Sequence, residues 1–322
     1  MNNINQQKVE NSNVGANKKY WLNYTIEALK PISTEATVEL ANTMGKSIQQ
    51  ALLLNNMLVD FFVIGGIANN THIELQKTVD ILLLFKGYKN NDDDNLTPGN
   101  PGLDDIQLFR HNTEMYLKNK FPEAQFDNSL SLSLKLYNLP LSCDFCYYFG
   151  YRQTDKIQAS GNSSQTKSIK LFNSKLSVFE NLEPLSVTKR LMFKDKKTKG
   201  NAIPLIRILK NLKADAPSPI SLTGHDITCI VYSMEDYTLT KQPGQIMFLL
   251  LEISLFLKAL IEDPFLKRSL KGPDNSLLTK AKNDTLFIRG VYGLKNEVDL
   301  LIKNLIQEVD LYTNIYNYTI VQ

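Results

Sequence analysis

Residues 61–85 read FFVIGGIANNTHIELQKTVDILLLF, two apolar runs joined by a more polar segment. Phe61–Ile64 predicts a short strand that ends at Gly65 and Gly66, and Val79–Phe85 predicts a second, buried strand. Glycines let the backbone approach a phosphate closely and direct N–H groups at it, although a glycine pair after a strand also serves as a simple tight turn. The stretch therefore predicts two strands with a candidate phosphate-binding turn after the first.

The second strand carries one acidic side chain near its start. Residues two apart on a strand share a face, so Thr78 and Asp80 point the same way. Two carboxylates at this spacing can bind two magnesium ions side by side, and those ions stabilise the attacking and leaving oxygens of phosphoryl transfer. Thr78 offers only a neutral hydroxyl, whereas magnesium prefers carboxylates and water. The strand thus predicts a metal site in which one of two acids is replaced.

A third acid comes from a later hairpin. Ser129–Tyr137 alternates as S-L-S-L-S-L-K-L-Y, the turn Asn138-Leu139-Pro140 follows, and Leu141–Tyr151 returns as a strand. Alternation places Asp144 and Cys146 on one face of that strand. A buried aspartate needs a partner. A metal shared with the preceding strand is one candidate, and a salt bridge or a strand end in water is the plainer alternative.

The remaining patterns predict an α+β fold, with a mixed-sheet core followed by a helical half and a cleft between them. Helical spacing marks 35–59 and Asp104–Lys120, while 87–102 and 152–168 are predicted loops. From Thr188 onward, helices are predicted around 188–195, 200–214, 221–234, 242–262 and 291–308. The predicted units are a disordered polar arm over 1–19, the α/β core over 20–187 and the helical domain over 188–322.

Composition narrows the class of protein. The 322 residues are 43% hydrophobic and carry a net charge of only +3, which argues against a protein-wide basic surface for nucleic acid. Three cysteines argue against a disulfide framework, and C-x-x-C at Cys143 and Cys146 lacks the second pair of a zinc site. The polar N-terminus is no signal peptide, and Ile246–Ile261 is too short and too interrupted to span a bilayer. We expect a cytoplasmic protein without membrane contact.

Taken in order, these parts resemble a known family. A helix, a strand, Gly65-Gly66, Thr71, a strand with Asp80, a helix and a hairpin strand with Asp144 follow one another. This order resembles the nucleotidyltransferase core of the DNA polymerase β superfamily, and most of all the branch of oligoadenylate synthetases and bacterial CD-NTases. That family shows Gly-Ser, a Thr, Asp-x-Asp on a strand and a third Asp on a later strand. The resemblance rests on order and spacing and spans residues 20–312.

The second half of the chain resembles the helical domain of the same family. Ile203–Lys213 resembles the helix whose basic residues meet the triphosphate, and Pro219–Ile227 resembles the start of the next helix. Pro273-Asp274 and Gly290–Leu301 resemble the C-terminal end of that domain. The basic run Lys194–Lys199 either gathers a triphosphate or an oligonucleotide, or is a solvated surface.

The resemblance implies a nucleoside triphosphate as ligand, with Mg²⁺ or Mn²⁺ as cofactor. It assigns Asp80 and Asp144 as metal ligands and catalytic residues. Nucleotide contacts are implied for Gly65, Gly66, Thr71, Thr78, Arg207, Lys210 and Ser221. The product would be an oligonucleotide or a cyclic nucleotide signal of antiphage defence, and an oligonucleotide or an effector protein would be a further partner.

Two departures from the family pattern keep several functions open. Thr78 replaces the first carboxylate of Asp-x-Asp, and Gly66 lacks the hydroxyl of the family's Ser. An active nucleotidyltransferase is the first hypothesis, supported by Asp80, Asp144 and the basic helix. A pseudoenzyme that binds a nucleotide, a nucleic acid or a protein partner is the second. A scaffold that only retains the fold is the third, because a fold does not establish an activity.

Overall fold

The computed structural model describes residues 20–76, 78–89, 100–129, 131–159, 162–240, 245–274 and 284–320. Its first half is built on a mixed sheet. The elements of this half are α1 (Tyr20–Leu29), α2 (Glu35–Leu53), β1 (Met57–Ile64), α3 (Gly65–Ala68), β2 (Thr78–Tyr88), α4 (Leu103–Lys120), β3 (Gln125–Asp127), β4 (Ser133–Tyr137), β5 (Asp144–Ala159), β6 (Asn162–Asn173) and β7 (Val178–Leu182).

The second half of the described chain is helical. Its elements are α5 (Pro184–Lys197), α6 (Ala202–Asp215), α7 (Gly224–Ser233), α8 (Asp236–Leu239), α9 (Ile246–Glu262), α10 (Pro264–Ser269) and α11 (Asp284–Ile320). The predicted α+β class, with a sheet first and helices after it, is confirmed. The predicted arm over 1–19 lies outside the described residues.

The sheet has seven strands in the order β1-β2-β5-β4-β3, with β6 pairing β5 and β7 pairing β6. β2 and β5 run parallel, whereas β1 pairs β2 and β4 pairs β5 in the antiparallel sense. The predicted hairpin between β4 and β5 is therefore confirmed. β2 and β5 occupy the centre of the sheet, and their side chains decide what each face carries.

The two faces of the sheet differ in what covers them. On one face, Ile81 and Leu83 of β2 and Phe145 of β5 are fully buried against helices α2 and α4. On the other face, Leu82 and Leu84 join a smaller apolar cluster with residues of β6. Asp80 shares this second face because it is two residues before Leu82. The acid thus lies on the side of the sheet that the helical half approaches.

A second hydrophobic core holds the helical half together. It includes fully buried side chains of α6, α7, α9 and α11, such as Ile206, Ile230 and Leu257. Helix α1 also packs here, through Ala28, although it precedes the sheet in the chain. The helix at the start of the predicted 20–187 unit thus shares its core with the helical half.

Several predicted boundaries were wrong. The helix predicted over 35–59 ends at Leu53, because Asn56 adopts a left-handed conformation with φ of 58° and β1 begins at Met57. The strand predicted from Ser129 begins at Ser133. The helix predicted over 291–308 runs from Asp284 to Ile320.

The loop predicted over 152–168 was also wrong. Strands β5 and β6 continue through it and pair antiparallel from Gly150 with Leu171 to Ala159 with Asn162. Backbone hydrogen bonds hold this ribbon, so it needs no apolar alternation to form. Of the predicted 87–102 loop, Gly87 and Tyr88 belong to β2, and 90–99 lies outside the described residues. Within the described residues, no helix is long and apolar enough to cross a membrane.

The contact between α2 and β1 gives a first testable prediction. A Cβ added at Gly45 would overlap the ring of Phe61. We expect Gly45→Ala to lower the free energy of unfolding by about 1–3 kcal/mol through overpacking, against the helix propensity that normally favours alanine. Asn42→Ala, at an exposed position on the same helix, is the control and should stay within about 0.5 kcal/mol of the parent. Denaturant unfolding of both variants measures this, and a stabilised Gly45→Ala would contradict the packing.

Candidate functional site

A cavity of about 370 Å³ lies where the open face of the sheet meets the helical half. Asp80 of β2, the glycine turn after β1 and Lys210 of α6 all line it. The cleft predicted between the two halves is therefore present. The full lining is Ile64, Gly65, Gly66, Asn69, Thr71, Gln76, Asp80, Leu132, Tyr148, Leu171, Pro184, Val187, Lys210, Thr223, Gly224, His225, Thr228 and Asp274.

Asp80 is closely enclosed by its neighbours. Tyr148 of β5 hydrogen-bonds to its carboxylate, and Lys210 and Lys135 lie close enough to attract it. Burial nevertheless outweighs these contacts and raises the pKa of Asp80 to about 6. The group is therefore mostly ionised at pH 7, yet it takes up a proton far more readily than a surface aspartate.

The glycine turn is shaped around this carboxylate. Gly65 has φ of +72°, a conformation that favours glycine, and an added Cβ would overlap Asp80 Oδ2. At Gly66 an added Cβ would lie 3.3 Å from Gln76 Oε1 and 3.5 Å from Lys210 Nζ. A residue larger than glycine therefore does not fit at position 65. At position 66 a Cβ would make close contacts but would not overlap its neighbours. The backbone of the turn consequently borders both the acid and the lysine.

Lys210 brings a positive charge into the same cavity. Its side chain is 6% exposed, and Nζ donates to the carbonyl and to the Oγ1 of Thr71, both at 2.9 Å. Burial lowers the pKa of Lys210 to about 8, although the charge of Asp80 opposes that shift. Lys210 stays mainly protonated at pH 7. The cavity therefore brings Asp80 and Lys210 together as two groups of opposite, partly compensating charge.

Thr78 and Asp144 are paired in the sheet. The two residues are directly opposite in the parallel register of β2 and β5, and Asp80 is opposite Cys146. The four side chains share the open face, as the alternation predicted. From strand spacing and rise, the Cα atoms of Asp80 and Asp144 are roughly 8 Å apart on the diagonal. Thr78 and Asp144 are half-buried and do not line the cavity itself.

A magnesium site can be built from protein carboxylates alone, or from one or two carboxylates completed by substrate phosphates and water. In the described part of the chain, no group of three His, Cys, Asp or Glu side chains is placed to hold a metal ion. A two-metal site built from protein carboxylates is therefore not formed. Magnesium is also bound by one or two carboxylates together with substrate phosphates and water. Asp80 and Asp144 are the two carboxylates that such an arrangement would use.

Arg207 does not reach the cavity, although it lies on the same helical face as Lys210. Its Nε donates to the Leu29 carbonyl at 2.9 Å, and its Nη1 donates to the Asn70 carbonyl at 2.8 Å. Arg207 as a whole residue is 4% exposed. Ser221 is exposed before α7 and does not line the cavity either. The structure thus brings together Gly65, Gly66, Thr71, Asp80 and Lys210 around the cavity. The other predicted site residues do not line it; they are Thr78, Asp144, Arg207 and Ser221.

The basic run at the end of α5 is partly committed to the helical half. Lys194 is 8% exposed and forms an ion pair with Asp236 at 2.7 Å, and Lys197 lies 3.6 Å from the same carboxylate. These contacts favour a structural role for Lys194 over ligand binding.

Other polar residues of the cavity were not among the predicted site residues: Tyr148, His225 and Asp274. His225 opens helix α7 and places Nε2 3.6 Å from Asp274 Oδ2 and 3.3 Å from Cys229 Sγ. Tyr148 reaches Asp80 from the neighbouring strand. The alternation of β5 could have identified Tyr148, because it lies two residues after Cys146 on the open face. No local signal links His225 to Asp274, since the chain between them is long.

Comparison with known proteins identifies the class to which this fold corresponds. No profile of a known protein family matches the chain. In sequence it is 23% identical over 221 residues to a c-di-GMP synthase of a Lachnospiraceae bacterium, covering 59% of this chain and 62% of that protein. It is also 23% identical over 243 residues to a c-di-GMP synthase of a Flavobacteriaceae species. The chain thus spans less than two thirds of the length of the curated relatives it matches.

Solved structures extend the likeness over most of the chain. The STING-associated CdnE c-di-GMP synthase of Capnocytophaga granulosa superposes with a TM-score of 0.67 at 22% identity, covering 94% of this chain and 92% of that one. The CdnE c-UMP-AMP synthase of Rhodothermus marinus, solved with Apcpp and Upnpp, gives 0.61 at 13% identity, covering 90% and 95%. The chain shares its fold with these synthases, and the predicted resemblance to bacterial CD-NTases is confirmed.

The raised pKa of Asp80 gives a prediction about stability and pH. The folded chain retains a proton that the unfolded chain loses between pH 4 and 6, so stability falls as pH rises through this window. The Asp80→Asn variant has no carboxyl group at this position, so its stability lacks this fall with rising pH. We therefore compare the free energies of unfolding of the variant and the parent. The value of the variant minus that of the parent should increase by up to about 3 kcal/mol from pH 4 to pH 7. Denaturant unfolding at the two pH values measures the difference.

The matched control for this measurement is Asp60→Asn. Asp60 is a more exposed carboxylate on the adjacent strand β1, 3.3 Å from Lys86. Two results would contradict the role of burial in raising the pKa of Asp80. One is an equal pH-dependent gain in the free energy of unfolding in both variants, and the other is no such gain in Asp80→Asn.

Proposed function

We propose that this protein is a nucleotidyltransferase that binds a nucleoside triphosphate in the cavity between Asp80 and Lys210. The observation that carries the proposal is the placement of an acid, a lysine and the Gly65-Gly66 backbone around one cavity. In this proposal the turn approaches the phosphates, and Lys210 exchanges its contact with Thr71 for a phosphate oxygen. Asp80 and Asp144 would be the protein ligands of a bound magnesium ion.

The reaction we propose joins two nucleotides. A ribose hydroxyl of one nucleotide forms a bond to the α-phosphorus of the triphosphate, the bond from that phosphorus to the bridging oxygen breaks, and pyrophosphate leaves with the electron pair. The hydroxyl proton passes to solvent or to a carboxylate. Bound Mg²⁺ would supply charge stabilisation at the phosphates. Lys210 contributes a fixed positive charge beside them, in a partly enclosed site where charge is effective.

GTP is the first substrate to test, because the curated relatives are named c-di-GMP synthases. A CdnE neighbour from Elizabethkingia meningoseptica was solved with GTP and Apcpp and has a TM-score of 0.62 at 16% identity. We propose a cyclic dinucleotide as the product and a signal in antiphage defence as its role, with an effector protein as the receiver. The protein would act in the cytoplasm, where its substrates are.

The second candidate is a binding protein without chemistry, and Thr78 is the observation that favours it. The threonine stands beside Asp144 where the family pattern has a carboxylate. Loss of one carboxylate from a paired metal site weakens the binding of the ion that activates the attacking oxygen. In this alternative the cavity would still take up the triphosphate, and nucleotide occupancy itself would be the signal to a partner.

A binding and turnover assay distinguishes these candidates. The four ribonucleoside triphosphates would each be titrated with Mg²⁺ or Mn²⁺, and products separated by chromatography. We expect GTP to bind, and Lys210→Met to weaken binding by about 10–100-fold through loss of a charged hydrogen bond. Asp80→Asn should abolish product, while Asp60→Asn should leave it unchanged. Binding without product would support the second candidate, and no binding by any triphosphate would contradict both.

Restoring the family acid gives a separate prediction. Thr78→Asp would place a second carboxylate two residues before Asp80 and beside Asp144. We expect product formation to rise at least about tenfold, because the paired acids then bind both metal ions. Thr78→Asn, of similar size and without charge, is the control and should show no gain. An unchanged or lower rate in a Thr78→Asp variant that still binds triphosphate would contradict this use of the position.

A further inference from the structure

Three consecutive residues after the glycine turn are each held by a side chain of the helical half. Thr188 Oγ1 of α5 donates to Asn69 Oδ1 at 2.6 Å. Arg207 of α6 donates to the Asn70 carbonyl, and Lys210 donates to the Thr71 carbonyl. We call Thr188, Arg207 and Lys210 the anchor residues. They join the segment 69–71 to two different helices across the boundary between the two hydrophobic cores.

The anchored segment is in turn bonded to the glycine turn. The amide of Asn69 donates to the Gly65 carbonyl at 3.0 Å, and the amide of Thr71 donates to the Gly66 carbonyl at 2.8 Å. Asn70 has φ of 55°, a left-handed conformation that is uncommon outside glycine. Asn is among the residues that adopt this conformation most readily, and the Asn70 carbonyl accepts from Arg207. Any displacement of 69–71 would be passed to Gly65 and Gly66.

Of the three anchor residues, Arg207 is the best suited to hold the segment 69–71 in position. It binds the Leu29 carbonyl at the end of α1 as well as the Asn70 carbonyl, and it is almost completely buried. The planar guanidinium fixes both carbonyls in one geometry, which a flexible ammonium group does not. Lys210 differs because it lines the cavity. A triphosphate that recruits Lys210 would remove its contact with Thr71.

We propose that Arg207 and Thr188 are positioning residues, which keep the Gly65-Gly66 turn in place when Lys210 turns from Thr71 to a bound triphosphate. The inference rests on the proposed function for the role of Lys210. It assigns the two basic residues of α6 different tasks: Lys210 contacts the ligand, and Arg207 holds the loop that the ligand approaches.

The test measures loop order and nucleotide affinity separately. Amide hydrogen exchange over 65–71 would be compared, without nucleotide, in the parent, Arg207→Gln, Arg207→Lys and Thr188→Val. GTP with Mg²⁺ would then be titrated into each. We expect Arg207→Gln to raise exchange over 65–71 and to weaken GTP binding, each by about tenfold. Arg207→Lys should change the exchange rate and the GTP affinity less than Arg207→Gln does, since its ammonium can still donate to one carbonyl. Thr188→Val should also change the two quantities less than Arg207→Gln does.

The matched control is Asn211→Ala on the same helix. Asn211 Nδ2 donates to the Ala28 carbonyl at 3.4 Å, so it links α6 to α1 without touching the loop. We expect exchange and affinity within about twofold of the parent. Equal effects of Asn211→Ala and Arg207→Gln would overturn the proposal, as would unchanged exchange in a folded Arg207→Gln. If Arg207→Gln does not fold, the same criteria apply to Thr188→Val.

The two proposals fail in different ways. A parent protein that binds no triphosphate contradicts the proposed function and, with it, the part of the inference that concerns Lys210. The exchange comparison without nucleotide then still decides whether Arg207 and Thr188 hold the loop. A parent that binds GTP while the Arg207 and Thr188 variants bind it equally well contradicts the positioning role alone.

Discussion

The parallel pairing of β2 with β5 is the constraint on which the site depends. Its register sets Thr78 beside Asp144 and Asp80 beside Cys146, and so fixes which side chains share the open face. The same register turns Ile81, Leu83 and the aromatic residues of β5 toward helices α2 and α4. A shift by one residue would move the apolar set to the cavity and the acids into the core. Burial of the core thus positions the acids indirectly.

The helical half contributes charge and support from a single helix. Lys210 and Arg207 are three residues apart on α6 and both are buried, yet one faces the cavity and the other faces two backbone carbonyls. The two side chains have different surroundings because α6 crosses α1 and the segment after the glycine turn near Arg207, and borders the cavity near Lys210. Helix α6 packs in the core of the helical half, and these two side chains join it to the segment after the glycine turn. The mutual attraction of Asp80 and Lys210 offsets part of the cost of burying each charge.

Sequence patterns predicted those features that depend on local periodicity. The alternation of 129–151 identified the β4–β5 hairpin and the face of Asp144, and the apolar run after Thr78 identified β2. The polar ribbon of β5 and β6 was missed because its backbone pairing needs no buried face. Arg207 was grouped with Lys210 because spacing along a helix shows a shared face but not the carbonyls nearby. Tyr148, His225 and Asp274 meet in the cavity only through tertiary packing, which no local pattern records.

Gly65 has a consequence for how this chain can vary. The backbone there occupies the space beside the Asp80 carboxylate, so a side chain at position 65 and a carboxylate at position 80 compete for the same volume. The two positions are therefore coupled genetically: a substitution at either one changes what the other tolerates. A smaller residue at position 80 would free that volume, yet the left-handed backbone at position 65, with φ of +72°, would still favour glycine. The glycine can therefore outlast the carboxylate that it accommodates.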